Sequence, residues 1–303
     1  MSLTCSASHL WLVGFSEMLQ LAGVINASNV CVPIQQVNRS KWWRRELHHT
    51  SELEDRFKAC GSKWPRARMQ RTFPNASAHL RDSLCREELY SQKPFVRHCA
   101  PRHRVTFQLQ FEWKSFMYSA RDELHLQRVL QAADDAGTTR RALVLLSGGP
   151  HHFSRFGAHR RSMYHTFDPD AGSWPWPQAW LDDYMRDADR LFGRFAAARP
   201  RRVCVVWKAS NIARRAQAPA GSRHHPSISD GPHHLLNRVS IALARRHGLS
   251  VVDLSDLTLA AKPSGRDQFG APEGDAYHGY DSEALADALL RRACAACEEA
   301  GWG

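Results

Sequence analysis

The sequence predicts an α/β domain built on a largely parallel sheet covered by helices on both faces. Three observations carry this. Residues 10–13, 143–146 and 203–207 are short runs that are apolar throughout, too continuous for strands with one wet face. They alternate with segments of helical period, and strand, helix, strand in succession calls for parallel crossovers. The runs end in Gly14-Phe15-Ser16, Ser147-Gly148-Gly149 and Lys208-Ala209-Ser210, so small residues collect at the carboxyl edge, where such sheets bind ligands. In 303 residues, 43% of them hydrophobic, there is material for one full core, and residues 1–303 read as a single domain.

Taken in order, the strand at 10–13 feeds the turn at Gly14, and residues 17–24 form a short helix. Residues 30–104 show no clean period and are expected to be an irregular insertion held by disulfides. In residues 105–113, Val105, Phe107, Leu109, Phe111 and Trp113 share one strand face. A helix follows over 122–133, then the strand at 143–146. Residues 178–198 make the clearest helix, with Trp180, Tyr184, Ala188, Leu191 and Phe195 in one stripe. After the strand at 203–207, Leu235, Val239 and Ala242 mark a helix that Gly248 closes. A strand at 249–254 and a helix carrying Leu285, Leu289, Ala293 and Ala296 complete the pattern.

The net charge of +11 comes from scattered arginine pairs and not from a basic block. No nucleic-acid reading motif accompanies it, so nucleic acid is not an expected partner. No apolar run approaches the roughly 18 residues that a membrane helix needs. The chain starts without a basic signal-peptide segment and reaches its first strand almost at once. A membrane link is therefore expected only through an anchor upstream of Met1. Cys5, Cys31, Cys60, Cys85 and Cys99 fall in the first hundred residues beside the sequons at Asn26, Asn38 and Asn75, which points to the secretory pathway, Golgi lumen or extracellular. Cys294-x-x-Cys297 has no second pair to complete a zinc site. The histidine pairs at 151–152, 224–225 and 233–234 have no H-E-x-x-H spacing, so no metal is expected, and no cofactor.

Acyl transfer needs a nucleophile, a base, a group to orient the base, and donors for the oxyanion. Ser16 follows a strand and a glycine, where its hydroxyl could sit at a helix start among backbone amides. Asp275 and His278 stand three residues apart in a loop before the last helix, a spacing that lets the carboxylate hold one ring nitrogen while the other faces the site. Against these stand plainer roles: Ser16 as a helix cap, Asp275 as a turn cap.

This arrangement resembles the SGNH (GDSL-like) hydrolase superfamily, and within it the PC-esterase-like and cell-wall O-acetyltransferase-like branch. Residues 13–18, with Ser16, resemble the nucleophile block. Residues 274–280, with Asp275 and His278, and the helix that follows resemble the final block. Residues 145–152 look like the block whose Gly and Asn help form the oxyanion hole, and Trp207 and Ser210 lie in a segment similar to that branch's Trp-containing one. The resemblance implies a flavodoxin-like three-layer sandwich and a serine-dependent acyl esterase or O-acyltransferase acting on a glycan or other acyl ester. Ser16 is then the nucleophile, His278 the base and Asp275 its orienting group. Gly149 and His151 serve the oxyanion, with Trp207 and Ser210 beside the substrate. Phe15 stands where the family has Asp, and His151 where it has Asn. Those departures fit the alternative, a catalytically degenerate glycan- or polyanion-binding domain on the same fold.

Overall fold

The computed structural model of the chain describes residues 5, 7–14, 16–33, 60, 63–72, 74, 81, 84–86, 88–89, 95–100, 107–114, 117–118, 120–135, 141–148, 152, 177–198, 202–210, 231–260 and 283–302. Its elements in chain order are β1 (Ala7–Gly14), α1 (Ser16–Ser28), β2 (Val30–Pro33), α2 (Lys63–Thr72), β3 (Phe95–Ala100), β4 (Phe107–Trp113), α3 (Ala120–Asp135), β5 (Arg141–Leu146), α4 (Gln178–Ala197), β6 (Val203–Lys208), α5 (Gly231–Arg246), β7 (Ser250–Val252), α6 (Ser255–Ala260) and α7 (Glu283–Glu299).

Seven strands form one sheet in the order β2-β3-β4-β1-β5-β6-β7. From β4 to β7 every neighbouring pair is parallel, whereas β3 runs antiparallel to both β2 and β4. The sheet is thus mostly parallel, as the apolar runs predict. The expectation of an irregular 30–104 insertion needs correction. Its two ends, β2 and β3, extend the sheet at one edge, and α2 lies between them in sequence. The edge strand β2 has only four residues, too few for a period to stand out, and in β3 Arg97 and His98 interrupt the apolar pattern.

Alternation along the strands divides the core into two layers. Leu10, Leu12, Leu109, Phe111, Leu143, Leu145 and Val206 pack with α1 and α7 on one face. Trp11, Val13, Val144, Leu146, Val205 and Trp207 pack with α3, α4 and α5 on the other. On α4 the buried stripe runs through Leu181, Tyr184, Ala188, Leu191 and Phe195, close to the predicted one. At the end of α5, Gly248 adopts a left-handed backbone (φ 69°), and the amides of Gly248 and Leu249 return to the carbonyls of Arg245 and Ala244, satisfying the last turn.

The strand β4 departs from this apolar rule. Phe107, Leu109 and Phe111 enter the α1/α7 layer, but Gln110, Glu112 and Lys114 are buried on the other side. Polar groups buried this way need partners. Gln110 donates to Glu112 (2.7 Å), Arg128 of α3 donates to it (2.8 Å), and His125 pairs with it. Burial alone would raise the Glu112 carboxyl, yet His125 and Arg128 together hold it below its ordinary value.

All eight cysteines are paired: Cys5–Cys294, Cys31–Cys99, Cys60–Cys85 and Cys204–Cys297. Two bridges lie in the 30–104 region, as expected, with Cα separations of 4.0 and 5.9 Å. The Cys294-x-x-Cys297 pair is no metal motif: it fastens α7 to the segment before β1 and to β6. Four bridges with no free thiol fit an oxidising environment. Of the sequons, Asn26 is buried within α1 and could not carry a glycan without breaking that packing; Asn38 and Asn75 lie outside the described residues. Among the described residues, no helix is long and apolar enough to cross a membrane.

Candidate functional site at the carboxyl edge of the sheet

The five parallel strands all end on one edge, at Gly14, Trp113, Leu146, Lys208 and Val252. The chain leaves β1 for β2, β3 and β4 on one side and later crosses to β5 on the other. The connections therefore diverge between the carboxyl ends of β1 and β5, and a sheet of this kind opens its ligand crevice at that switch point. Gly14 and the start of α1 lie on one side of it, Ser147 and Gly148 on the other.

Hydrogen bonds hold this place tightly. The Lys114 amide donates to the Gly14 carbonyl (2.8 Å) and the Ser147 amide to that of Val13 (2.9 Å), so both flanking chains stay clamped to β1 beyond their strands. Gly14 has no room for a side chain. A Cβ there would lie 2.5 Å from Met18 Cγ and 3.3 Å from Ser147 Cβ. Only a glycine lets α1 begin so close above β1.

A further layer of bonds fixes the end of β6. Ser210 Oγ donates to the Gly148 carbonyl (2.9 Å). Asn237 of α5 accepts from the Ser210 amide (3.0 Å) and donates to its carbonyl (2.8 Å), as a neighbouring strand would. The Trp207 indole donates to Ser240 Oγ (3.0 Å), which donates to the Asn237 carbonyl (3.1 Å). Trp207 is fully buried with its ring edge-on to Phe192, and Ser210 is buried also. Of the residues expected beside the substrate, these two brace the edge from within the core.

Ser16 is the first residue of α1, so its backbone stands at the switch point; its side chain lies outside what the structure describes. Gly149, His151, Asp275 and His278 lie outside the described residues.

A second group near this edge escaped the sequence reading. His152 is fully buried, and the Met117 amide donates to its Nδ1 (3.1 Å). A nitrogen that accepts carries no proton, so the neutral ring is protonated at Nε2, which donates to Asp183 Oδ2 (3.0 Å). Burial, then the charges of Lys114 and Arg186, push this imidazole down to about 3. Tyr184 packs edge-on to it at 5.5 Å. Lys114 forms its own buried ion pair with Asp122 (2.5 Å). Burial raises the Asp187 carboxyl.

Donor atoms of His152, Asp183 and Asp187 lie within 4.8 Å of one another, near enough to suggest a metal site. The hydrogen bonding argues otherwise. A cation at Nε2 needs the lone pair there and a proton on Nδ1, where the Met117 amide already donates. Arg186 also pairs with Asp183 and lies 3.7 Å from Asp187, bringing a positive charge to the spot. The group is a clamp between the segments after β4 and β5 and helix α4. Its only sequence trace was the second histidine of the 151–152 pair; the aspartates declare themselves only when α4 is packed.

No protein-family model matches the chain, and no curated protein matches it.

Proposed function

We propose that this protein is a serine-dependent acyl esterase or O-acyltransferase of SGNH type, acting on a glycan or other O-acyl ester. The observation that carries the reading is the strand order: the crevice of the sheet falls between β1 and β5, where α1 starts at Ser16. Ser16 Oγ attacks the acyl carbonyl while His278 takes its proton. Asp275 orients His278 and stabilises its positive form. Amides at the start of α1 and at Gly149, with His151, hold the oxyanion. Water as second acceptor gives hydrolysis, and a sugar hydroxyl gives transfer. The four disulfides support residence in the secretory pathway, Golgi lumen or extracellular.

Phe15 and His151, in place of the family's Asp and Asn, favour a second reading: a degenerate domain that binds glycan without turning it over. One substitution separates the two. Nucleophilic catalysis fails without its nucleophile, whereas binding through neighbouring groups barely notices one hydroxyl. Ser16→Ala should lower acetate release from acetylated glycans or an aryl acetate by at least about 10³-fold with glycan affinity unchanged. Wild-type turnover in Ser16→Ala would remove Ser16 as nucleophile. Glycan binding with no turnover by the wild type would establish the binding domain.

A further inference from the structure

Buried hydroxyls in folded proteins find partners, and an exception calls for an explanation such as a catalytic role or an absent ligand. Ser147 is an exception. It is fully buried, and among the described residues its Oγ has no hydrogen-bond partner. It directly follows β5, whose Leu143 and Leu145 enter the α1/α7 layer while Val144 and Leu146 enter the other. Strand alternation carried one residue further turns Ser147 toward α1. The Gly14 geometry agrees, because the point 3.3 Å from Ser147 Cβ is also 2.5 Å from Met18 Cγ in the first turn of α1.

Two features that favour negative charge therefore meet at the switch point. The first turn of a 13-residue helix presents amides that have no acceptor within the helix, at the positive end of its dipole. Beside it stands a hydroxyl with a proton to donate and one χ1 torsion, free to choose among staggered positions, to aim it. We propose that Ser147 is an oxyanion donor, completing with the amides at the start of α1 a site for the acyl carbonyl oxygen; this rests on the acyl-transfer reading above.

The step balances as follows. Ser16 Oγ bonds to the acyl carbon as its proton passes to His278, and the carbonyl π pair moves onto oxygen. Ser147 keeps its own proton and donates a hydrogen bond to that oxyanion. When the π bond re-forms, the ester C–O bond breaks and the leaving alkoxide takes the proton from His278. Among the described residues the hydroxyl has no partner, and it gains one as charge develops, so its contribution goes to the transition state more than to bound substrate.

The test is Ser147→Ala in the intact disulfide-bonded protein, read three ways: kcat and KM on an aryl acetate, thermal midpoint, and the rate of covalent labelling of Ser16 by a fluorophosphonate. Loss of one oxyanion donor should lower kcat by about 10²-fold, leave KM within about twofold, and slow labelling by a comparable factor. The thermal midpoint should hold or rise, because the variant deletes an unsatisfied buried hydroxyl. A purely structural serine would give the reverse, a lower midpoint with kcat unchanged, and that result overturns the proposal. Failure of the acyl-transfer reading looks different: the wild type itself neither turns over nor labels, and the role of Ser147 falls with it.

Discussion

At the scale of single residues, the burial of His152 has a thermodynamic signature. Its imidazole is depressed in the folded protein from about 6.5 to about 3, mainly by burial and secondarily by Lys114 and Arg186. Between those values the unfolded chain binds the proton and the folded one does not, so stability falls as pH falls. The effect from pH 6.5 to 4.5 is on the order of 2 kcal/mol. The raised carboxyl of Asp187 acts in the opposite sense and offsets part of this slope. Denaturant midpoints across that range should therefore decline in the wild type and decline less steeply in His152→Gln, which carries no titrating ring. Equal slopes would mean that His152 is not the buried neutral group described. Nothing in the sequence marked His152 as buried, because its burial depends on the packing of α4 against it. Ser147 was likewise only a small residue after a strand, and its missing partner is a tertiary fact.

At the scale of elements, legibility followed length and context. The helix α4 and the strands β5 and β6 announced themselves because each makes one kind of contact along its whole length: a single stripe, or apolar packing on both sides. The strands β2 and β3 did not: β2 is a four-residue edge strand, and β3, though paired on both sides, carries Arg97 and His98 within its apolar pattern. The polar side of β4 was invisible for another reason. Gln110, Glu112 and Lys114 read as a wet face, but α3 covers them with Asp122, His125 and Arg128. The helix α7 shows how covalent and packing terms combine. Its Leu285, Leu289 and Ala293 are buried in the α1/α7 layer while Cys297 ties it to Cys204 of β6, closing a separation of 93 residues. A bridge of that span constrains the unfolded chain, and its removal typically costs about 2–4 kcal/mol. The double variant Cys204→Ala with Cys297→Ala should lower the unfolding free energy by that order in denaturant titration, with far-UV circular dichroism unchanged. A loss within error would show that packing and the Cys5–Cys294 bridge secure α7 without Cys204–Cys297.

At the scale of the whole molecule, the four bridges divide into two kinds. Cys31–Cys99 and Cys60–Cys85 close the early region, with separations of 68 and 25 residues. Cys5–Cys294 joins the segment before the first strand to the last helix across 289 residues. Every one of these sulfurs is buried. Closing a loop of 289 residues costs entropy in the unfolded chain, so this bridge is favoured once the fold brings Cys5 and α7 together. Protein made in an oxidising compartment should accordingly take up no alkylating reagent when unfolded without reductant, and should react at all eight cysteines after reduction. Peptide mapping should recover the Cys5–Cys294 and Cys204–Cys297 links as one cross-linked set, since both end on the same stretch of α7. The same chain made in a reducing cytosol should react before reduction and melt at a lower temperature. Free thiols at these positions in material from the oxidising compartment would contradict both the pairing and the inferred environment. If the pairing holds, mild reductant becomes a means of dissecting function. Reducing the two long-range bridges loosens α7 from the sheet and from the Cys5 segment before β1, whereas the crevice between β1 and β5 is held by the backbone bonds at Gly14 and Val13. Activity that survives partial reduction while the melting temperature falls would place the chemistry with those clamped strand ends and assign the disulfides to stability.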